Sequence, residues 1–560
     1  MTVFRFILPC LLAALVTGGQ PTMGKVLDSE FIKVSSDQRS FIGKESGERF
    51  IPWGSNLVLR SKDDLNIFGP RYTPERYEQI LIACQNLKIN LLKVFLPISN
   101  VLPDPQPVGG CQIAPGYIEN LINFLDLCQK HEIRAVVTLT EWGGNGVKWW
   151  HDGGQYWGRS PWKTDPGIDS IDVLRHFWLT LASQLKTHPS VFSYTPAVEW
   201  TLPASNLTWF PPDGSSSVVS SPQGIFYWRA WLMAKYKTLE GLNTSWGTQL
   251  ASWNDVQLPN YEYISSARKY KSPDNQILDY QNFRDWSTLR YFKPQIEAIR
   301  QADPNHLVTI SNHMRFWNLW EGAAFGFLGA TPFEQKKWVD YVTFHANFSE
   351  TDPEPGRTDE EIVRYATVLA RFCDIGVPRP LMLEEFVFAS TNPQRVAEVQ
   401  SKILQGTLAH VSGWTTWYLQ FPENPQQGAD PVDLPVESSW LDSNLNPTPW
   451  GLAAAALAEE VIPSQIGWKP PIEVVPVSRR DSLVPKSLSL LTRHIKDWAR
   501  RSDLTGYNAP HEPDLDILLD GDPYPILDNQ PDHSHVSDWQ NQAPQGDSSP
   551  SGGTAINAGQ

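Results

Sequence analysis

The stretch Arg134-Ala-Val-Val-Thr-Leu-Thr140 is a short apolar run rich in β-branched residues, and it follows a longer segment with helical periodicity. Such a run predicts a buried β-strand. Seven further runs of this kind alternate with helical segments between residues 49 and 462. They are Phe50 to Asn56, Asn90 to Leu96, Val191 to Glu199, His306 to Ser311, Tyr341 to His345, Leu381 to Phe386 and Gly413 to Leu419.

This alternation is typical of parallel strands joined by crossover helices, and eight is the number of strands in a TIM barrel. A doubly wound open sheet is the alternative, but no glycine-rich phosphate loop follows any of the runs. We therefore predict an α/β fold, a (β/α)8 TIM barrel, over residues 45–462. Signals for the start of a helix fall where this barrel needs them: Thr73 before Pro74, Thr358 with Glu361, and Asn392 before Pro393.

Two regions do not fit a minimal barrel. The stretch between the fourth and fifth predicted strands is far longer than the ~30 residues of a plain βα unit. It predicts a helical insertion at about 207–300, as a subdomain over the carboxyl ends of the strands. Residues 463–531 form an extension with an amphipathic helix near 487–501. Residues 532–560, rich in Ser, Gly, Asn and Gln, are predicted to be disordered.

Composition and charge narrow the classes of partner. The chain of 560 residues has 46 Lys and Arg against 61 Asp and Glu, a net charge of −15 that argues against a nucleic-acid partner. Residues 1–18 place Arg5 before the apolar run Phe6 to Val16, as a cleaved signal peptide does. That run is too short to span a bilayer, so we expect a secreted or periplasmic protein without a membrane span.

The cysteines give no sign of a metal or redox site, because no C-x-x-C spacing occurs. Cys84, Cys128 and Cys373 lie in apolar, helix-like surroundings and are predicted to be buried thiols. Cys111 with Cys128 is the one candidate disulfide. The sequence predicts neither a metal site nor a cofactor.

Two carboxylates close predicted strands. Glu199 ends the fourth run and Glu385 ends the seventh. In a TIM barrel both would project into the mouth at the carboxyl ends of the strands, where a carboxylate that follows buried apolar residues needs a partner or a task. A retaining glycosidase needs two carboxyl groups about 5–5.5 Å apart, one as nucleophile and one as acid and base.

These strand endings, with the motif Gly413-Trp-Thr-Thr-Trp417, resemble clan A of the glycoside hydrolases, in particular families 5 and 42. The stretch Tyr227 to Thr248 resembles family 42 β-galactosidases, and Trp142 to Trp162 resembles family 5 mannanases. The resemblance covers roughly residues 45 to 462. It implies Glu199 as acid/base, Glu385 as nucleophile and Trp417 as the platform on which the sugar stacks.

Glu384 is the rival for the nucleophile. Successive residues of a strand point to opposite sides, so we expect only one of Glu384 and Glu385 to face the mouth, and the motif favours Glu385.

The sequence departs from the clan's pattern at three positions. Val198 stands where the clan usually has the Asn that binds the sugar 2-hydroxyl. Lys93 stands for the usual Arg near the nucleophile and keeps the charge without the bidentate fork. Asn347 stands for Tyr in a His-x-Tyr pattern. These changes imply altered specificity or lost activity.

Further residues at predicted strand ends are candidates to bind sugar. Glu141 ends the third strand, and it binds a hydroxyl or caps a turn. Trp142 follows it, and this indole stacks on a sugar ring or packs in the fold. Asn56 and Asn312 end the first and fifth strands and bind sugar or hold a loop. His345 lines the mouth, or it has a structural role and holds the residues that do.

The sequence thus predicts a secreted retaining glycoside hydrolase that cleaves a β-linked glycan or oligosaccharide of mannan, glucan or galactoside type. The alternative is a carbohydrate-binding pseudoenzyme on the same barrel. A metal-dependent hydrolase is disfavoured, because the one His-x-His, His533 to His535, lies in the predicted disordered tail.

Overall fold

A computed structural model of the chain describes residues 29–58, 67–103, 112–140, 170–199, 222–258, 275–312, 335–336, 338–350, 358–373, 378–420 and 435–466. The predicted signal peptide, the predicted extension beyond Ile466 and the predicted tail lie outside these residues, as does Cys111. Cys84, Cys128 and Cys373 are buried free thiols, as expected for all three. The candidate disulfide involves Cys111 and so also lies outside the described residues.

A small antiparallel sheet precedes the barrel. Its strands are β1 (Ile32–Val34), β2 (Phe41–Gly43) and β3 (Arg49–Phe50), paired in the order β1-β2-β3. The sequence prediction missed β1 and β2, and it merged β3 with the first barrel strand. The two strands are separate because Pro52 lies between them and has no N–H to give to a ladder.

Eight parallel strands follow and confirm the predicted barrel. Their order in the sheet is β8-β7-β6-β5-β4-β11-β10-β9, which is sequential around a barrel apart from the closing pair. The strands are β4 (Trp53–Asn56), β5 (Leu91–Pro97), β6 (Arg134–Thr140), β7 (Val191–Thr195), β8 (Leu307–Val308), β9 (Val342–Ser349), β10 (Leu381–Ala389) and β11 (Gly413–Thr416).

The barrel closes between β8 and β9 through side chains. Thr309 Oγ1 donates to the Tyr341 carbonyl at 2.7 Å, and Thr343 Oγ1 donates to the Ile310 carbonyl at 2.9 Å. The Asn312 amide also donates to the Thr343 carbonyl at 3.0 Å. The strand β8 is shorter than the predicted run from His306 to Ser311, and beyond Val308 side chains of Thr309, Thr343 and Asn312 bond across to β9 or its start.

The small sheet plugs the amino-terminal end of the barrel. Phe41 of β2 meets Phe192 and Tyr341 edge to face, with ring centroids 5.1 and 5.3 Å away. Inward-facing Val136 and Met382 complete this layer, and all of these side chains are buried. The lower barrel is therefore a packed core, and only the opposite end offers a mouth.

Ten helices are described, and most form the outer layer. The three helix starts expected from sequence are confirmed, and Asn392 caps its helix by accepting from the backbone N–H groups of Gln394 and Arg395. No helix in the described part of the chain is long and apolar enough to cross a membrane. The helices are α1 (Pro74–Asn86), α2 (Ile98–Val101), α3 (Tyr117–Lys130), α4 (Ser170–Leu185), α5 (Pro222–Tyr236), α6 (Leu239–Trp246), α7 (Asn275–Ala302), α8 (Asp359–Cys373), α9 (Pro393–Thr407) and α10 (Pro449–Ile466).

The described part of the stretch between β7 and β8 contains the helices α5, α6 and α7, and the last of them belongs to the barrel. Helix α7 packs against α4, and Trp178 Nε1 donates to Gln295 Oε1 at 3.2 Å across that contact. Since a βα unit needs one helix to return the chain to the next strand, α7 fills this role. The idea that the whole predicted insertion forms a separate subdomain is therefore wrong for its carboxyl-terminal part.

Gly54 of β4 is required by the close approach of β5. A Cβ built on Gly54 would lie 1.7 Å from the backbone oxygen of Leu91. We expect Gly54→Ala to lower the free energy of unfolding by more than about 3 kcal/mol, because backbone must move to relieve the overlap. In Gly47→Ala, the control, the Cβ meets nothing within 4 Å but φ is +69°, so a cost of about 1–2 kcal/mol is expected. Urea unfolding of both variants tests this difference, and equal costs would contradict it.

Candidate active site

The carboxyl ends of four barrel strands bring five ionisable side chains together. Lys93 comes from β5, His345 from β9, and Glu384 and Glu385 from β10, while Glu199 follows β7. All are buried except Glu199, whose side chain is 20% exposed. The cluster therefore lies below the mouth with one carboxylate at its edge.

A β-bulge turns both glutamates of β10 inward. The register with β9 pairs Leu383 with Phe344 and then Glu385 with His345, so Glu384 is skipped. Both carboxylates contact Lys93, at 3.1 Å from Glu384 Oε2 and 3.0 Å from Glu385 Oε1. The expectation that only one of the two faces the mouth is wrong, because the extra residue of a bulge breaks the alternation of side chains.

Lys93 is the buried cation that joins the two glutamates. Its Nζ also donates to Ser311 Oγ at 3.1 Å. Burial alone would lower the pKa of Lys93, but the carboxylates of Glu384 and Glu385 outweigh it and raise this pKa. Lys93 thus lies beside Glu385, where the resemblance expects a cation.

His345 connects all three carboxylates. Its Nδ1 lies 2.9 Å from Glu199 Oε1 and 3.3 Å from Glu385 Oε2, and its Nε2 lies 3.4 Å from Glu384 Oε2. Burial alone would lower the pKa of His345, but the surrounding carboxylates, Glu385 foremost, raise it to about 9. The ring is therefore an imidazolium at neutral pH.

Glu199 and Glu385 lie close together beside His345. One carboxylate oxygen of each residue and a ring nitrogen of His345 all lie within 4.8 Å of one another. Glu199 has a φ of +48°, in the left-handed region where a non-glycine residue is strained. The strained turn after β7 is what directs this carboxylate towards β9.

The two carboxylates facing the mouth do not titrate independently. Burial raises the pKa of Glu385, and the charges of Glu199 and Glu384 add to this, while His345 and Lys93 oppose it. Burial would also raise the pKa of Glu384, but Lys93, His345 and Ser311 lower it to about 2. The surroundings therefore favour the ionised form of Glu384, whereas burial and the neighbouring carboxylates favour the protonated form of Glu385.

The geometry of Glu199, His345 and Glu385 raises the question of a metal ion, since each offers one ligand atom. A metal would have to displace the proton that the surrounding carboxylates favour on His345. The Lys93 ammonium, 3.0 Å from Glu385, places a positive charge beside this group.

An apolar group lies above the carboxylates. Val198 is buried and packs in one cluster with Phe95, Val387 and Tyr418. Trp417 is partly buried against this cluster, with its ring edge to face with Phe95 at 6.0 Å, and the Trp417–Tyr418 peptide bond is cis. Val198 thus adds apolar surface where the clan usually places a sugar-binding amide.

Two predicted sugar-binding residues hold strands together. The Asn56 amide donates to the carbonyls of Glu384 at 3.0 Å and Thr416 at 2.8 Å. The Asn312 side chain exchanges two hydrogen bonds with Gln335, both 2.8 Å long. Both side chains are fully buried, in accord with the structural alternative for each.

Asn347 lies two residues after His345 on β9 and pairs with Val387 of β10. Within the described residues it makes no hydrogen bond to Glu385, and its Oδ1 is buried without a partner. Glu141 and Trp142, the two other predicted sugar-binding residues, lie outside the described residues.

Sequence reasoning missed Ser311, whose hydroxyl links three members of the cluster. Its Oγ donates to Glu384 Oε2 at 2.6 Å and lies 3.1 Å from Lys93 Nζ and 3.2 Å from His345 Nε2. The sequence did carry a signal for Ser311. It is the last residue of the predicted run from His306 to Ser311 and directly precedes Asn312, a candidate to bind sugar.

The raised pKa of His345 predicts a loss of stability at alkaline pH. Its folded value of about 9 exceeds the unfolded value of 6.5, so the stabilisation is complete below pH 6.5 and lost as pH rises through 9. We expect this contribution to be about 3 kcal/mol.

Urea unfolding at several pH values, compared between wild type and His345→Gln, measures that contribution. Buried Lys336, whose pKa burial lowers to about 7, has the opposite slope but is common to both proteins. The stability difference between the two proteins should shrink from pH 6.5 to pH 9. A constant difference would show that His345 is not an imidazolium in the folded protein.

Part of the chain is similar to known β-galactosidases. The family model for glycoside hydrolase family 42, described as β-galactosidase, matches residues 216–398. The β-galactosidase BgaP of Planococcus sp. (strain L4) is 29% identical over 178 residues, 30% of this chain and 23% of that protein. A β-galactosidase of Thermus thermophilus is 30% identical over 143 residues, 25% of this chain and 20% of that protein. The matched segments thus span less than a quarter of these relatives.

Solved structures share the fold over most of the chain. A GH5_18 protein from Streptomyces cattleya, in complex with Manb1-4GlcNAc, has a TM-score of 0.52 and 14% identity, and the match covers 80% of this chain and 92% of that one. The β-galactosidase of the psychrophilic Marinomonas ef1 has a TM-score of 0.50 and 15% identity, covering 74% and 61%. At these identities the likeness concerns the fold.

Proposed function

We propose that this chain, which resembles the clan A glycoside hydrolases of families 5 and 42, is a retaining β-glycosidase with Glu385 as nucleophile and Glu199 as acid/base. The observation that carries the proposal is the approach of one oxygen of each carboxylate to within 4.8 Å at the mouth of the barrel. An approach of this kind is compatible with the ~5–5.5 Å that separates the two carboxyl groups of a retaining enzyme.

In the first step Glu385 attacks the anomeric carbon while Glu199 protonates the leaving oxygen, and a glycosyl-enzyme forms. Glu199 then removes a proton from water, which releases the sugar with its configuration retained. Lys93 holds Glu385 Oε1, which leaves Oε2 as the attacking atom. The His345 ring lies between both carboxylates, 2.9 Å from Glu199 Oε1 and 3.3 Å from Glu385 Oε2, and holds them in place.

We propose a β-linked glycan or oligosaccharide of mannan, glucan or galactoside type as the substrate. The names of the relatives, which are β-galactosidases, support this class. Trp417 would stack on the sugar ring, because the flat indole face suits the C–H face of a sugar. We propose secretion from the signal pattern of residues 1–18, which the mass of the exported protein tests.

Sugar release from a panel of β-mannans, β-glucans, xylan and aryl β-glycosides tests the proposed activity. The wild type should release sugar from at least one member, and Glu385→Gln and Glu199→Gln should not. No release by the wild type from any member would contradict the proposal.

The second candidate is a carbohydrate-binding protein without turnover, and Val198 favours it. Valine cannot bind the sugar 2-hydroxyl, a contact that contributes several kcal/mol in the transition state. Binding of one glycan by the wild type without hydrolysis would support this candidate.

A further inference from the structure

Glu384 is a third carboxylate directly beneath the pair that carries out the proposed chemistry. Its side chain is fully buried, and its Oε2 contacts Ser311 Oγ at 2.6 Å, Lys93 Nζ at 3.1 Å and His345 Nε2 at 3.4 Å. Its backbone carbonyl accepts from Asn56 Nδ2 at 3.0 Å and from Thr415 Oγ1. Four neighbouring strands thus hold this residue in one place.

The charges of the cluster balance only when Glu384 is included. With Lys93 and His345 positively charged and Glu384 negatively charged, the cluster is neutral when the pair of Glu199 and Glu385 holds one proton. With that proton on Glu199, this is the state that the first step needs. Because an unbalanced charge in a buried site is costly, this state is favoured. Without Glu384 the same state would carry one excess positive charge.

We propose that Glu384 is a positioning residue: its buried carboxylate fixes Lys93 and the His345 ring beneath Glu199 and Glu385 and supplies the negative charge that keeps one proton on that pair. This inference rests on the proposed function. It names the residue that sets the protonation state of the pair Glu199 and Glu385. The bulge at Glu384 supports it, because a regular strand would turn one of the two glutamates away from Lys93.

The other groups that face Glu384 are consistent with a permanent anion there. Tyr341, in the packed layer at the base of the barrel, has a pKa well above its usual value, through burial first and then the charge of Glu384, and its hydroxyl hydrogen-bonds to Ser193. Ser311 contributes a neutral hydroxyl. Lys93 and His345 are thus the only cations in the described part of the site, and both contact Glu384.

The variant Glu384→Gln removes the charge with little change in shape, and its pH profile tests the proposal. Loss of a nearby negative charge lowers the pKa of the remaining groups, so both limbs of the kcat/KM profile should move to lower pH by about one unit or more. Glu384→Asp keeps the charge and should keep the limbs of the wild type even if the rate falls. Reduced rates in both variants with unmoved limbs would overturn the proposal.

A second readout separates this inference from the proposed function. In wild type labelled with ¹⁵N-histidine, the His345 resonances, assigned with His345→Gln, should titrate at alkaline pH and at a lower pH in Glu384→Gln. If Glu384→Gln does not fold, the charge-balanced Lys93→Met/Glu384→Gln variant is measured instead, with Lys93→Met as its reference. An unchanged His345 titration would overturn the proposal, whereas a shifted titration in a protein without turnover would contradict only the glycosidase function.

Discussion

Replacing Glu385 by Ala is expected to lower kcat/KM by about 10⁴-fold or more, because no other group can form the glycosyl-enzyme. Azide should restore turnover of an aryl β-glycoside, since a small anion fits the space left by the carboxylate. It would attack from the face that Glu385 uses, so the product should be the α-glycosyl azide. NMR of the product reads this configuration directly.

The matched control is Glu199→Ala with a substrate whose leaving group needs no protonation. Here Glu385 still forms the glycosyl-enzyme, and azide attacks that intermediate to give the β-glycosyl azide. The two variants should therefore give opposite products. The same product from both, or rescue of neither, would contradict the assigned roles.

The second large effect is expected from Lys93→Met, which removes the buried cation between Glu384 and Glu385. Two carboxylates would then share a buried site with His345 as their only counter-charge. Breaking a buried ion pair in this way costs about 3–5 kcal/mol of unfolding free energy. Urea unfolding at neutral pH measures the loss.

Lys88→Met is the control, because Lys88 is exposed and lies 3.8 Å from exposed Glu459, so less than about 0.5 kcal/mol is expected. Adding Glu384→Gln to Lys93→Met should recover part of the loss, because the two residues interact directly. Stability of Lys93→Met close to that of the wild type would contradict the charge balance described for the cluster.

Much of the fold follows from local pattern. The apolar runs at Arg134 to Thr140 and Leu381 to Phe386 begin where β6 and β10 begin, because parallel strands buried on both faces have continuous apolar sequences. The strands β1 and β2 were missed because they are three residues long and depend on packing against the base of the barrel.

The sequence predicted most residues of the candidate site but not how they are arranged. Glu199, Glu385, Lys93 and His345 were identified from strand ends and from the resemblance. Strict alternation along β10 excluded a joint role for Glu384, whereas the bulge gives both glutamates the same orientation. A bulge depends on the register with β9, a long-range property that the sequence of one strand does not carry.

The roles of Asn56 and Asn312 also could not be decided from the sequence. An amide at the end of a strand suits a sugar hydroxyl and a neighbouring backbone carbonyl equally well. Only the three-dimensional arrangement shows that Asn56 bonds to β10 and β11 and that Asn312 helps to close the barrel.

The most direct test of the central claim is to trap the covalent intermediate. A 2-deoxy-2-fluoro β-glycoside with a good leaving group slows the second step more than the first, so the glycosyl-enzyme accumulates. Mass spectrometry of the intact chain and of its peptides should find one sugar per chain, attached to Glu385. A sugar on Glu384, or turnover with inverted configuration and no labelled peptide, would contradict the account.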